Sequence, residues 1–452
     1  MAAENDLGRD NIKKLVIRIA VPSMLAQFVS VLYSIVDRMY IGNIPVSGDM
    51  ALAGAGVCGP VVTMIGSVEF LVGIGGAPLM SMKMGQGDNK AADRILANCF
   101  LMLALCSVLM VACIYPIRIP MLRYFGASDT TLPYANAYFT IYLTGTVFAL
   151  MSTGMNQFII CQGFAKTGMY SVIIGAVLNI VLDPVFIFGF HMGVSGAATA
   201  TVLSQTASCA FVLKTLFGKT VPVRITFGGY DWRLIRRILT IGFTPFIIIA
   251  MDNVMIITMN AILQKYGGAA RGDLLITCAT IAQSFMLVVT MPLGGITSGT
   301  QAVLAYNFGA GNTDRVKGAQ KYIFILAAAY TTLLFILART VGGLFVRLFT
   351  SDPTVSAEAL RAIRIFTLAI IPLAFQYEIV DGFTGLGQVQ VALPLSFFRK
   401  GLYFVSLFLL PAMFGAEAAF FAEPVSDIAG PVVSAIVYIV SMKGILAKAG
   451  EN

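Results

Sequence analysis

Long apolar runs alternate with short polar segments along the whole chain. Each run has about 20 residues or more, which is enough for an α-helix to cross about 30 Å of hydrocarbon. The pattern predicts an all-α integral membrane protein with twelve transmembrane helices. These lie at 15–40, 53–82, 95–116, 134–158, 168–190, 195–217, 238–264, 274–304, 319–346, 360–385, 391–413 and 416–442.

The composition supports a membrane protein and argues against other classes. The 452 residues are 58% hydrophobic and only 12% charged, about half the charged fraction of a soluble domain. The net charge of +8 is scattered between apolar runs, so no nucleic acid partner is expected. The only histidine, His191, falls in a predicted outer loop, and the seven cysteines have no metal-like spacing. We therefore expect neither an enzyme nor a cofactor.

The distribution of basic residues predicts the orientation. The amino tail, the even-numbered loops and the carboxyl tail hold 19 Lys and Arg, against 7 in the odd-numbered loops. Because cytoplasmic loops carry the excess of positive charge, both termini are expected in the cytoplasm. The longest loop ends in Asp231–Ile238, which predicts an Asp-capped amphipathic helix at the interface.

The two halves of the chain are predicted to be a duplication. The domains would be an amino lobe at 1–217, a cytoplasmic linker at 218–237 and a carboxyl lobe at 238–452. With six spans each, the lobes would be related by a parallel pseudo-twofold axis along the membrane normal, with the transport cavity between them. The matched pairs, at offsets of 222 to 224, are Pro22 and Pro245, Asp37 and Asn260, Gly85 and Gly309, Gly87 and Gly311, Gly163 and Gly387, Gly193 and Gly415, and Ser204 and Ser426.

Polar side chains inside the spans of the amino half are candidates for an ion site. Asn179 and Asp183 are four residues apart, on one helical face, and Pro184 predicts a kink beside them. Asp37 in the first span and Thr199 or Thr201 in the sixth add a carboxylate and a hydroxyl. Small cations bind such oxygens, but buried carboxyl groups could instead take up protons. A purely structural hydrogen-bond network remains the alternative.

The carboxyl half carries different intramembrane charges. Leu407 matches Asp183 at the repeat offset, so the ion site is expected to be asymmetric. Arg399 could form a fixed ion pair with Asp381 or Asp427, or could line the substrate cavity. The roles of Glu69, Glu378, Asp381, Lys400, Glu423 and Asp427 stay open. Candidate substrate-cavity residues are Tyr33, Asp252, Asn260, Gln283, Asp381 and Arg399.

Three segments resemble the multidrug and toxic compound extrusion (MATE) family, with its bacterial drug-efflux branch the most similar. They are YSIVDRMYIG (33–42), LNIVLDPVFIFG (178–189) and MGVSGAATATVLSQ (192–205). The resemblance implies a two-lobed exporter of the bacterial plasma membrane, expected to be a monomer, in which Na⁺ or H⁺ entry drives small amphipathic substrates out. The implied cation site is Asp37, Asn179, Asp183 and Thr201. The chain departs from the family's pattern at Phe383–Gly387 and Arg399–Lys400, both in the carboxyl half. The resemblance therefore does not extend to the identity of the substrate.

A cation-coupled antiporter in the lipid bilayer is the function that these features favour. The alternative is a flippase or exporter of a lipid-linked precursor or a specific metabolite. It would predict more cationic residues in the cavity than the few intramembrane cations of this chain.

Overall fold

The computed structural model describes residues 5–45, 47–350 and 352–450. Twelve long helices account for nearly all of them, and a short helix, Gly342–Arg347, precedes the tenth. The long helices are α1 (Ile12–Gly42), α2 (Gly48–Gly85), α3 (Asn89–Tyr124), α4 (Leu132–Ile160), α5 (Ala165–Gly189), α6 (Val194–Phe217), α7 (Trp232–Gly268), α8 (Leu274–Gly309), α9 (Thr313–Thr340), α10 (Pro353–Gly385), α11 (Val389–Phe414) and α12 (Ala422–Gly450).

The twelve predicted spans correspond one to one with these helices. Among the described residues, eleven helices are both long and apolar enough to cross a membrane. The other one, α4, is less apolar but has 29 residues and packs against α2, α3 and α6. The helices extend beyond the apolar runs because polar residues cap them. Asp88, for example, accepts a hydrogen bond from the Ala91 amide at 3.0 Å at the start of α3.

The helix predicted at the end of the 218–237 linker is continuous with the following span. Asp231 caps a helix by accepting a hydrogen bond from the Arg233 amide at 2.8 Å, but this helix is the start of α7 and not a separate element. No glycine or proline interrupts the chain between Trp232 and Ile241, so nothing ends the helix before the membrane span. Residues 232–237 therefore form the first turns of α7.

Glycines in the two halves support the predicted repeat. Three matched pairs all adopt positive φ, a conformation that other residues rarely adopt. Because the same unusual backbone conformation recurs at offsets of 222 to 224, the six-helix lobes α1–α6 and α7–α12 share one architecture. The φ values are 77° and 72° for Gly87 and Gly311, 91° and 72° for Gly163 and Gly387, and 57° and 88° for Gly193 and Gly415.

The lobes meet through reciprocal contacts. A Cβ atom on Gly85 would overlap the carbonyl oxygen of Tyr306, and one on Gly309 would overlap that of Met82. Met82 and Tyr306 are themselves separated by the repeat offset of 224. Reciprocal contacts of this kind are the signature of a twofold axis, which here passes between the ends of α2 and α8.

Further contacts between the lobes lie in the same half of the bundle. Gly75 on α2 packs against the backbone of Gly242 on α7, and Gly299 on α8 packs against Ser23 on α1. These positions lie toward the ends of α2 and α8 and the starts of α1 and α7, so all are on the side of the chain termini. A cavity of only about 10 Å³ remains between α2, α4 and α8 there.

Hydrophobic clusters at the opposite end each belong to a single lobe. One surrounds Ile41, Ala51 and Ile187 in the amino lobe, and another surrounds Met259 and Ile363 in the carboxyl lobe. By contrast, clusters on the terminal side combine residues from both lobes. The cleft between the lobes therefore opens at the end of the bundle away from the termini.

The amino-terminal segment before α1 links the lobes on the closed side. The Asn5 side-chain amide donates to the Gly163 carbonyl at 2.8 Å, in the amino lobe. In the carboxyl lobe, Asn307 donates to the Leu7 carbonyl at 2.9 Å. Arg315 donates to the carbonyls of Leu7 at 3.1 Å and Asp10 at 2.9 Å.

Candidate cation site and cleft

Two carboxyl groups from different helices meet in the amino lobe. Asp37 on α1 and Asp183 on α5 are within hydrogen-bonding reach of each other. Asp183 is fully buried, and Asp37 is half-buried. Two ionised carboxylates cannot share such a position without a cation or a proton to offset their repulsion. Chemically, the pair is suited to hold a proton or a cation. No Asp37–Arg38 ion pair occurs among the described residues.

Asn179 and Thr201 complete the group of oxygens. The Asn179 side-chain amide donates to Asp183 Oδ1 at 3.2 Å and lies 3.4 Å from the Thr201 hydroxyl. Three buried oxygens nearby accept no hydrogen bond: Asp37 Oδ1, Asn179 Oδ1 and Asp183 Oδ2. Thr199, the sequence alternative to Thr201, instead donates to the Ser195 carbonyl of its own helix at 2.8 Å.

The backbone around Pro184 explains the position of Asp183. Pro184 has no N–H to donate, and the α-helix gives way directly after it to a π-helical turn, Val185–Gly189. Such a turn is common at functional sites. Asp183 lies six residues before the end of α5. The site thus lies toward the open end of the cleft.

A third acidic residue, Glu69, lies near the same tyrosine as Asp37. Glu69 on α2 is hydrogen-bonded by the Thr153 hydroxyl of α4. Tyr33 lies near both Asp37 and Glu69, and Tyr142 lies near Tyr33. The sequence patterns did not identify Tyr142, because one tyrosine in an apolar helix carries no periodic signal.

The carboxyl lobe pairs most of its predicted charges. Arg399 and Asp427 form an ion pair at 2.7 Å, with Arg399 only 8% exposed. This matches the fixed-pair alternative and leaves little of the guanidinium for a substrate. Lys400 pairs with Asp252. Asp381 accepts a hydrogen bond from Thr297 at 2.5 Å and does not pair with Arg399.

Two predicted cavity residues make fewer polar contacts. Asn260 on α7, which matches Asp37, is half-buried, and its side-chain oxygen accepts no hydrogen bond. Gln283 on α8 is also half-buried. Neither has an acidic partner comparable to Asp183, because Leu407 occupies the matching position and is fully buried in an apolar cluster. The two lobes therefore share a fold but differ in their polar groups.

Comparison with known proteins places this architecture in a family. The family model described as MatE matches residues 22–185 and 249–409, one segment in each lobe. The Multidrug export protein MepA of Staphylococcus haemolyticus (strain JCSC1435) is 22% identical over 409 residues, covering 90% of this chain and 88% of that protein. MepA of Staphylococcus aureus (strain MSSA476) is 23% identical over 406 residues, with coverage of 89% and 88%.

Solved structures share the fold over nearly the whole chain. One, described as the outward-facing conformation of a multidrug resistance MATE family transporter of the MOP superfamily, superimposes with a TM-score of 0.90 at 21% identity, covering 97% of this chain and 98% of that one. A MOP superfamily transporter from Pyrococcus furiosus gives the same TM-score, identity and coverage. The all-α, two-lobed fold that the sequence predicted is confirmed.

Proposed function

The chain belongs to the MatE family of membrane transporters, and on that premise we propose that it is a cation-coupled antiporter that exports amphipathic organic compounds. It would act in a bacterial plasma membrane with both termini in the cytoplasm. Its relatives in this family are transporters and not enzymes, as the sequence led us to expect. The functional units would be the amino lobe and the carboxyl lobe, joined by the loop before α7.

The contact between Asp37 and Asp183 is the observation that carries this proposal. The coupling ion, Na⁺ or H⁺, would bind between these carboxyl groups, with the oxygens of Asn179 and Thr201 as further ligands. A sodium ion would satisfy several of the buried oxygens at once. A proton would remove the repulsion between the two carboxylates by neutralising one of them.

The cycle we propose couples this site to the opening of the cleft. The ion would enter from the open, outer side, where Asp37 and Asp183 lie near the helix ends. Its binding would alter the packing of α1 against α5 and release the substrate outward. A membrane potential supplies about 2.3 kcal/mol per 100 mV for each net charge moved. Where one ion is exchanged for one organic cation no net charge moves, and the concentration gradient of the ion supplies the driving force.

The chemistry of the amino-lobe surface suggests the class of substrate. Tyr33 and Glu69 are both half-buried and lie near each other, which places an aromatic ring beside a carboxyl group. Lipophilic organic cations are attracted to such surfaces through ring quadrupoles and charge. The relatives named above are multidrug export proteins, which is consistent with a broad range of such compounds.

A flippase for a lipid-linked anionic precursor is a weaker candidate. Such a function needs cationic side chains free to bind the phosphate. In the cleft region, Arg399 and Lys400 are each paired with a carboxylate and have little exposed surface. The positive charges of these two residues are therefore compensated and not available for an anion.

Efflux measured in inverted membrane vesicles tests the proposed function. Sodium is varied at fixed pH, and pH is then varied at fixed sodium, with ethidium and a panel of lipophilic cations and weak bases as substrates. We expect ethidium transport that depends on at least one of the two ions and collapses when its gradient is dissipated. Transport that is indifferent to both gradients would contradict the proposal.

A further inference from the structure

Three arginines at the start of α7 have no carboxylate partner. Arg233, Arg236 and Arg237 are all exposed, and none of them forms an ion pair within the part of the chain that the structure describes. Their spacing of three and four residues places them on one side of the helix. The nearest acidic residue in the chain, Asp231, already accepts a hydrogen bond from the backbone amide of Arg233. The cluster therefore carries three uncompensated positive charges.

The position of these arginines is unfavourable for the protein on its own. Like charges three or four residues apart on a helix repel each other. The amino-terminal end of a helix is also positively polarised, and the first turn of α7, all of which the structure describes, holds no acidic residue to offset this. Cytoplasmic loops need basic residues for topology, but topology does not require them to share one face of a helix. A bound anion would relieve both effects.

The arginines line a groove with room for a ligand. Its volume is about 410 Å³, within the range of about 300–1,000 Å³ that is typical of small-molecule sites. The other wall is the turn between α10 and α11, where Gln388 and Gln390 line the groove. Neither of these side-chain amides makes a hydrogen bond to another described residue. Since no carboxylate is among the described residues of the lining, the groove is suited to an anion.

The groove lies where α7 passes from its polar first turns into its apolar span. Trp232, directly before the cluster, is 72% exposed, and tryptophan is enriched at the level of the lipid headgroups. Ile241, which also lines the groove, belongs to the apolar run that begins at Ile238. A ligand here would have its charged part among the arginines and would continue as an apolar chain along α7. A phospholipid has this form, whereas a soluble anion would use only the charged part of the groove.

We propose that this groove binds the headgroup of an anionic phospholipid from the leaflet on the side of the termini. Guanidinium groups form paired hydrogen bonds with phosphate oxygens, and the amides of Gln388 and Gln390 donate to the remaining oxygens of the headgroup. Basic pockets beside transmembrane helices bind anionic lipids through this chemistry. The bound lipid links the first turns of α7 to the α10–α11 turn. Because the site involves neither the transported compound nor the coupling ion, it stands or falls separately from the antiport.

Native mass spectrometry of the purified transporter tests this proposal. Phosphatidylglycerol or phosphatidylcholine is titrated into the detergent solution, and the fraction of protein that retains a lipid is measured. We expect wild type to retain phosphatidylglycerol in preference to phosphatidylcholine. The triple variant Arg233→Gln, Arg236→Gln, Arg237→Gln should bind phosphatidylglycerol about tenfold more weakly, since its charge-assisted hydrogen bonds are lost. Equal retention of the two lipids by wild type would overturn the proposal.

A matched control separates the groove from general attraction to negative charge. The variant Lys13→Gln, Lys14→Gln, Lys317→Gln also removes three exposed cations on the side of the termini, but none of them lines the groove. It should bind phosphatidylglycerol as wild type does. Equal affinity of the arginine variant and the lysine variant would show that the groove is not the binding site.

Chemical modification of the wild-type protein decides the question if the arginine variant does not fold. Phenylglyoxal reacts with free guanidinium groups, and peptide mass spectrometry locates the modified residues. Phosphatidylglycerol should slow the modification of Arg233, Arg236 and Arg237 but not that of Arg9, which is exposed on the same side. Equal protection of Arg9, or no protection of the three arginines, would contradict the proposal. If inorganic phosphate at the same concentration protects them as well as the lipid does, the ligand is a soluble anion and the lipid assignment fails.

Discussion

The carboxyl group of Asp37 on α1 lies against that of Asp183 on α5, although 146 positions separate them in the chain. Neither belongs to an ion pair with arginine or lysine among the described residues. A static salt bridge therefore does not explain why these two carboxyl groups lie inside the membrane-spanning helices. In the proposed cycle, this contact makes the packing of α1 against α5 depend on the positive charge that the pair would hold.

Thr201→Val should weaken ion coupling, whereas Thr199→Val should not. The Thr201 hydroxyl is within reach of Asn179 in the site, while Thr199 donates to the backbone of its own helix. Loss of one oxygen ligand should raise the half-saturating concentration of the coupling ion by about tenfold, the size of a lost hydrogen bond to a charged group. Efflux titrated with Na⁺ and H⁺ in vesicles measures this. Equal effects of the two variants would count against the assignment.

Gly242→Ala should separate the lobes on the side of the termini. A Cβ atom there would overlap the backbone of Leu71 on α2, whereas Gly66 on α2 has open space around its Cβ position. Overpacking of this kind costs about 1–3 kcal/mol. The cost falls on the conformation in which the lobes meet on the side of the termini, so the equilibrium shifts toward one in which they separate there. Cys161 lines the small cavity between the lobes and is only 4% exposed, so it reports on this opening.

Maleimide labelling, located by peptide mass spectrometry, measures the exposure of Cys161. We expect faster labelling in Gly242→Ala than in wild type, and wild-type rates in the control Gly66→Ala. Labelling that rises equally in both variants would show that the glycine contact does not hold the lobes together.

Arg315→Gln should also loosen the closed side. Arg315 holds the amino-terminal segment through the carbonyls of Leu7 and Asp10, and that segment contacts the other lobe through Asn5. Loss of these charge-assisted hydrogen bonds should cost about 1.5–3 kcal/mol and speed the labelling of Cys161. The control is Lys317→Gln, because Lys317 is exposed and makes only a surface pair with Asp314. If the two variants label alike, the segment does not link the lobes.

Arg399→Met should destabilise the carboxyl lobe more than a double variant does. Removing the arginine leaves the fully buried Asp427 without its partner, at a cost of about 3–5 kcal/mol. In Arg399→Met with Asp427→Asn, the uncompensated charge is gone and much of the stability should return. Thermal unfolding in detergent compares the variants, and a double variant no more stable than the single one would refute the buried-pair account.

The sequence predicted the helices well, and it placed Asn179 and Asp183 on one helical face, for identifiable reasons. Long apolar runs define spans with little ambiguity, and the four-residue spacing of Asn179 and Asp183 defines a shared face. The meeting of Asp37 with Asp183 depends instead on the packing of α1 against α5, which no local pattern encodes. Before the structure, it was the resemblance to the MATE family, and not periodicity, that assigned Asp37 and Asp183 to one site.

Other features lay beyond the sequence because they depend on tertiary contacts. Whether Arg399 pairs with Asp381 or Asp427 is decided by how α11 packs against α12, and both alternatives fit the sequence. Neither carboxyl oxygen of Glu378 accepts a hydrogen bond, which likewise depends on the helices packed around it. The sequence predicted the Asp231-capped helix at the end of the linker, but composition alone does not show that this helix continues without a break into the next span.

Ion-dependent efflux by Asp183→Asn in proteoliposomes tests the central claim most directly. The substitution keeps the shape of the side chain and removes the charge that the coupling ion would neutralise. We predict loss of Na⁺- and H⁺-driven ethidium transport, with ethidium binding and thermal unfolding close to wild type. Transport by this variant with wild-type dependence on either ion would contradict the account.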